Sequence, residues 1–203
     1  MPLDWINPKY LDEKEIKKIR KHFKKAKPYP NFVLNDFFNE NKLSGLKSQI
    51  LKEKFEKQHK DLFSFRQTKE LSYSKNRIIR EFYELLSSNE FLDLMKRFTN
   101  EKHLRGADMH THLYTLGDYL LFHDDVVEGR KIAYIAYLSD LKSIDGGSLR
   151  LYDIKAPLQP VKKIIPRFNS FACFKVSAKS LHDVGEVKAN KKRLTLGGWF
   201  NGS

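Results

Sequence analysis

Along the first hundred residues, apolar positions fall three and four apart; beyond them the period shortens to two. "LDEKEIKKIRKHFKKA" (11–26) sets Ile16, Ile19 and Phe23 on one helical face, with Asp12 and Glu15 as a cap-and-return pair at its start. "KPYP" (27–30) stops that helix, because proline neither donates a backbone hydrogen bond nor continues the turn. "NFVLNDFF" (31–38) predicts a strand, and "NENKLSGLKSQILKEKF" (39–55) a helix carrying Leu43, Leu46 and Ile50. "DLFSFRQT" (61–68) is ambiguous between extended and irregular chain, and two further helices are expected near 75–87 and 89–99. Seven short runs then follow, rich in β-branched and aromatic residues: "MHTHLYTL", "YLLFHDD", "KIAYIAYL", "GSLRLYD", "SFACFKV", "AKSLHDV" and "RLTLGGWF". Clusters of Gly, Pro, Asp and Asn separate them, so they predict strands. A helical layer followed by many short strands is an α+β arrangement whose β part is a sandwich or barrel.

The 203 residues are enough for one core, and no internal repeat or low-complexity linker divides them. We expect one domain over 1–203: a basic helical extension at 1–27, a mostly helical support at 28–100 and a β core at 104–203. The single cysteine, Cys173, excludes an intrachain disulfide framework; amid "FACFK" it has no basic neighbour and suits a core. The N-terminus lacks a basic segment leading into an apolar one, and no stretch approaches eighteen apolar residues. The expectation is a soluble, intracellular and cytoplasmic protein without membrane contact.

The net charge is +13 and unevenly placed: Lys9 to Lys69 holds 17 Lys/Arg against 8 Asp/Glu. Such a field attracts polyanions, including RNA and ribosomes. The competing view is a solvated lysine-rich face, since the lysines alternate with apolar helix positions.

The chemistry gathers at "DYLLFHDDVVEGR" (118–130), where Leu120, Leu121 and Phe122 promise a buried strand and His123, Asp124 and Asp125 end it. A carboxylate beside a core strand needs a partner, since burying it unpaired costs several kcal/mol. On a regular strand His123 and Asp125 share a face and Asp124 takes the other. Imidazole plus carboxylate is half of a 2-His-1-carboxylate triad. His59-Lys60-Asp61 repeats the spacing, but in what reads as the end of a helical segment, where residues two apart diverge. His182 lies on a late strand, and Arg193 and Thr195 share a face on the next; an arginine fork suits a carboxylate held beside a metal. His110 and His112 form a rival pair, read here as ordinary β-face histidines because no carboxylate accompanies them at matched spacing. No P-loop, dinucleotide fingerprint or cysteine-rich zinc pattern occurs.

In wording and order, "PYPNFVLNDFF", "KDLFSFRQTKEL", "LLFHDDVVEGRKIAYIAYL", "GGSLRLYD", "VSAKSLHDVGEV" and "RLTLGGWFNG" resemble the Fe(II)- and 2-oxoglutarate-dependent dioxygenases. The closer similarity is to the catalytic domain of the prolyl hydroxylases that modify a ribosomal protein in eukaryotes, over about residues 28–203. The resemblance implies a double-stranded β-helix (jelly-roll) core with flanking N-terminal helices. It implies Fe(II) held by His123, Asp125 and His182. It also implies 2-oxoglutarate held by Arg193, Tyr114, Tyr137 and Thr195, O2 as cosubstrate, and ascorbate as a reductant. The implied substrate is a prolyl residue of a protein, ribosomal or translational. Fungal and animal members carry a second, degenerate β-helix domain, a wording absent after "GWFNGS". The alternatives are a nucleic-acid demethylase of the same superfamily, or a non-enzymatic basic module that binds RNA or ribosomes.

Overall fold

A computed structural model describes residues 2–203. Two short 3₁₀ turns, Pro2–Trp5 and Pro8–Leu11, lead into α1 (Glu13–Lys25). Then come β1 (Asn31–Asn35), α2 (Glu40–Ile50), β2 (Glu56–Lys60), β3 (Phe63–Gln67), α3 (Arg77–Ser87) and α4 (Asn89–Thr99). The β-rich half runs β4 (Leu104–Ala107), β5 (His110–Tyr114), β6 (Tyr119–His123), β7 (Arg130–Tyr137), β8 (Leu149–Leu151), β9 (Lys162–Ile164), β10 (Ser170–Lys175), β11 (His182–Val184) and β12 (Arg193–Gly202).

The helices begin where the sequence offers caps. Asp12 accepts from the backbone N–H groups of Lys14 and Glu15, Asn76 from Ile78 and Ile79, and Ser88 from Phe91. The expected return arm from Glu15 is not made: that carboxylate pairs with Lys18 at 3.4 Å, one turn along. α2 ends at Ile50, and the next residues turn into β2, which forms a hairpin with β3. The ambiguous 61–68 segment is therefore extended. His59 lies on exposed β2, so it is a strand position and not, as its lysine-rich surroundings suggested, a helical one.

All pairings are antiparallel, in the order β1-β10-β7-β12-β5-β3-β6-β11-β8-β9, with β2 added to β3 and β4 to β12. The sheet curls into a nearly closed barrel, a jelly-roll. Among the described residues twelve strands form, where seven runs were expected together with β1 and the ambiguous β3. The extra ones, β2, β4 and β9, are three to five residues long with few apolar positions, so alternation hardly marks them.

Alternation sorts the long strands between two cores. On β10, Phe171 and Cys173 face the helices while Ala172 and Phe174 face the barrel interior. On β12, Leu194, Leu196 and Phe200 join the helix-side core, leaving Arg193, Thr195, Gly197 and Trp199 to the interior. The helix-side core is aromatic: Phe37 stacks on Phe171 with ring centroids 4.7 Å apart, and Phe38, Phe91 and Tyr134 surround the same ring. Each such ring removed from water contributes about 1.5–3 kcal/mol. Ile16, Ile19 and Phe23 of α1 belong to this core, so the N-terminal helix packs as part of it. Cys173 is buried there, with its thiol pushed up by burial. Gly198 allows β12 its close approach to the β4–β5 connection: a Cβ there would stand 2.2 Å from the Asp108 carbonyl oxygen. Among the described residues no helix is long and apolar enough to cross a membrane.

β6 departs from the sequence reading. Opposite β11, His182 pairs with His123 but Val184 pairs with Leu120, so β6 carries one extra residue. This bulge turns Leu120 and His123 to the interior together and both Leu121 and Phe122 outward, 39% and 51% exposed. The expected buried strand is thus only half buried.

Candidate metal and cosubstrate site

The barrel interior opens in a cavity of about 290 Å³. His123, Asp125 and His182 meet at its mouth, with a candidate ligand atom of each within 4.8 Å of the others. The cross-strand pairing of His182 with His123 brings the rings to 4.0 Å between centroids. Asp125 lies beyond the end of β6 at φ 64°, a left-handed conformation that Asp tolerates better than most residues. It is this local turn, and not strand alternation, that swings its carboxylate back to His123. Asp124, expected to face solvent or cap a turn, caps one: its Oδ1 accepts from the Val126 N–H at 3.0 Å.

Backbone carbonyls fix the orientation of both imidazoles. Nδ1 of His123 lies 2.9 Å from the Leu121 oxygen, and Nδ1 of His182 lies 2.7 Å from the Ser180 oxygen. A carbonyl only accepts, so each Nδ1 carries the proton and each Nε2 offers its lone pair. Those Nε2 atoms lie 3.5 Å and 3.4 Å from the two Asp125 oxygens. Burial alone would raise the Asp125 carboxyl; His182, then His123, and the buried indole N–H of Trp199 hold it down at about 2. Burial and the neighbouring His182 lower His123. With both imidazoles neutral, three lone-pair groups face one another, which is the requirement of a cation. The separations are near the roughly 3 Å expected between neighbouring ligands on an ion with bonds of about 2.1 Å. Two imidazoles and one carboxylate also leave other coordination positions open, as a non-haem Fe(II) site needs.

The inner end of the cavity is positive. Arg193 is only 2% exposed, and among the described residues it has no acidic partner. Its guanidinium carbon lies 4.8 Å from the Tyr114 ring and 5.5 Å from the Tyr137 ring, and Nη1 makes a long 3.4 Å contact with Thr195 Oγ1. Arg193 Nε and the Tyr137 hydroxyl are buried without hydrogen-bond partners. An uncompensated buried guanidinium costs several kcal/mol, so this end calls for an anion. A small ligand with a carboxylate at one end and metal-chelating oxygens at the other fits both ends. 2-Oxoglutarate is such a molecule.

All seven sequence-predicted residues therefore gather here. Tyr114, Arg193, Thr195, His123, Asp125 and His182 line the cavity, and Tyr137, fully buried, stands behind Arg193. Sequence reasoning missed Phe65, Gln67, His112 and Trp199 on the same walls. His112 shares the β5 face of Tyr114, a period-two signal that was available; Gln67 and Phe65 sit on β3, whose strand character the sequence left open. His110, the rival ligand, instead pairs with Glu70 at 2.8 Å.

A jelly-roll with a candidate metal site at its mouth and a buried cation at its inner end has the architecture of the 2-oxoglutarate-dependent oxygenases. Comparison with known proteins agrees: residues 109–201 match the family model of the 2OG-Fe(II) oxygenase superfamily. It is 36% identical over 181 residues to prolyl 3-hydroxylase OGFOD1 of Xenopus laevis, which covers 86% of this chain and 35% of that protein. It is 32% identical to prolyl 3-hydroxylase sudestada1 of Drosophila melanogaster, over 98% of this chain and 39% of that one. The chain thus spans little more than a third of these relatives' length. In fold it is similar to a prolyl-4-hydroxylase of Pseudomonas putida, with a TM-score of 0.75 at 16% identity over 93% of this chain and 99% of the other. A Trichoplax adhaerens prolyl hydroxylase, solved with a hypoxia inducible factor peptide fragment, gives 0.69 at 17% identity over 95% and 96%.

Proposed function

We propose that the chain hydroxylates a prolyl residue of a protein substrate, using Fe(II), 2-oxoglutarate and O2. The observation that carries this reading is the pairing, in one cavity, of converging His123, Asp125 and His182 lone pairs with the unpaired Arg193 cation. The prolyl hydroxylase names of the relatives support the choice of substrate. Iron and 2-oxoglutarate bound here would supply an oxidation in which 2-oxoglutarate and O2 give succinate and CO2 while one oxygen atom enters a C–H bond.

The chain's own residues orient and shield. His123, Asp125 and His182 would hold the metal, and three protein ligands would leave coordination positions for cosubstrate and oxygen. Arg193, with Tyr137 and Thr195, takes the remote carboxylate through charge-assisted hydrogen bonds. Tyr114 packs over that guanidinium, and Phe63, Phe65, Leu120, Ile135 and Trp199 keep water from the cavity walls.

The target we propose is a ribosomal or translation protein. Lys14, Lys17, Lys18, Lys21, Lys24 and Lys25 are all exposed along α1, a basic face suited to a ribosome or RNA surface near such a target. The test is incubation of ribosomal and translation-factor peptides with Fe(II), 2-oxoglutarate and O2. The expected result is a gain of one oxygen on a prolyl residue, matched by succinate. Succinate release with methylated oligonucleotides and not with any peptide would replace this reading with demethylation.

A further inference from the structure

The interior wall of the barrel carries a polar row that extends beyond the predicted site residues. In register across four neighbouring strands stand Gln67 of β3, His112 of β5, Thr195 of β12 and Tyr137 of β7. Residues directly opposite on antiparallel strands share a face, so the four side chains form one rung. The next rung holds Tyr114 opposite Arg193. Half of the first rung, Thr195 and Tyr137, is already placed beside the guanidinium. His112 and Gln67 extend it along the cavity wall, which both line.

His112 is unusual in this setting. Its ring meets Phe65 edge-on at 5.5 Å, yet among the described residues its nitrogens make no hydrogen bond. Burial, then the neighbouring His110 and Arg193, push it down to about 3, so at neutral pH the ring is uncharged. An uncharged imidazole always has one N–H to donate, whichever tautomer it takes. A packing role would be served by any flat apolar ring. The half-buried ring keeps its nitrogens open to the cavity, one rung from an unpaired buried cation, where the N–H can meet an acceptor that enters.

We infer that His112 is a ligand-binding and specificity residue of this pocket, donating a hydrogen bond to the carboxylate that docks on Arg193. It supplements the charge of Arg193 without adding a second one, and favours a dicarboxylic over a monocarboxylic 2-oxo acid. The inference rests on the cosubstrate reading given above, and the experiment keeps the two apart.

The measurement is calorimetric titration under anaerobic conditions, with Mn(II) in place of iron so that no turnover occurs. The ligands are 2-oxoglutarate and 2-oxopentanoate, which has the same chain length but no remote carboxylate. His112→Leu is expected to weaken 2-oxoglutarate binding about tenfold, the usual scale of a hydrogen bond to a charged group. Binding of 2-oxopentanoate and of Mn(II) itself should be unchanged, and His112→Asn, which keeps a donor, should recover part of the loss. A leucine variant that binds 2-oxoglutarate as tightly as wild type overturns the assignment, as does one that loses affinity for both ligands equally. Wild-type protein that takes up Mn(II) but no 2-oxoglutarate sinks the cosubstrate reading, and the His112 assignment with it.

Discussion

Asp125 combines two features that rarely serve packing: a backbone at φ 64° and a carboxylate aimed at two imidazoles. The other non-glycine residues with positive φ are Asp36, Asn100 and Asn169, types whose short polar side chains tolerate that conformation. Asparagine at position 125 therefore keeps the backbone and removes only the charge, which makes it a clean test. Asp125→Asn should lower Mn(II) affinity at least about tenfold, the scale for damage around a metal site. Asp124→Asn should leave it unchanged, since an asparagine oxygen accepts from the Val126 N–H as well as a carboxylate does. Isothermal titration of both variants decides between them; the reverse order of effects would make Asp124 the ligand. The sequence pointed to Asp125 for a reason the structure replaces. Strand alternation ends at His123, and the bulge before it already breaks the period at Leu121 and Phe122. The two departures compensate, so the meeting of His123, Asp125 and His182 was legible while its local geometry was not.

At the scale of elements, what the sequence disclosed follows how much apolar surface each element buries. α1, α3, α4, β7, β10 and β12 each carry long periodic runs into a core, and each lies where its pattern placed it. β2, β4 and β9 are held by backbone pairing at sheet margins, with side chains that leave little trace in sequence. Glu70 shows the same limit, because its role comes from a fold-dependent meeting of distant segments. Its carboxylate accepts from the backbone N–H of Met109 and of Ser72 and pairs with His110 Nε2, tying the loop after β3 to the start of β5. Burial opposes its charge, but the hydrogen bond from His110 and the two backbone bonds lower Glu70 below its ordinary 4.5. The hydrogen bond to Glu70 is the main cause raising His110 above its ordinary 6.5. The Glu70 contribution is present above pH 4.5 and is lost as pH falls through its depressed folded value. The His110 contribution is present below pH 6.5 and is lost as pH rises through its elevated folded value. The stability gap between wild type and Glu70→Gln should thus be widest between the two ordinary values, near pH 5–6, and should narrow as pH rises through the elevated His110 value. Urea melts of both proteins across that range provide the check; a gap that widens steadily toward pH 8 would assign the effect to the backbone bonds alone.

For the whole molecule, the proposed function would have the distribution of charge separate recognition from chemistry. The cavity is closed by aromatic and aliphatic walls, while most of the excess charge carried by Lys9 to Lys69 is displayed on the outside. α1 shows the division in one element: Ile16, Ile19 and Phe23 are buried in the helix-side core, and Lys17, Lys18, Lys21, Lys24 and Lys25 are exposed on the opposite side. Changing those five lysines together to glutamine leaves the buried stripe, the Asp12 cap and every cavity residue intact, so a short prolyl peptide should be turned over at the wild-type rate. Binding to RNA or ribosomes should weaken, and the plot of log affinity against log salt should flatten. Each phosphate that is no longer neutralised takes roughly 0.7–0.9 off that slope, because fewer counterions are released on binding. A solvated face with no polyanion partner predicts an unchanged affinity and slope. Measuring both at several salt concentrations matters, because a general loss of stability would lower peptide turnover along with binding, whereas loss of a docking surface lowers binding alone.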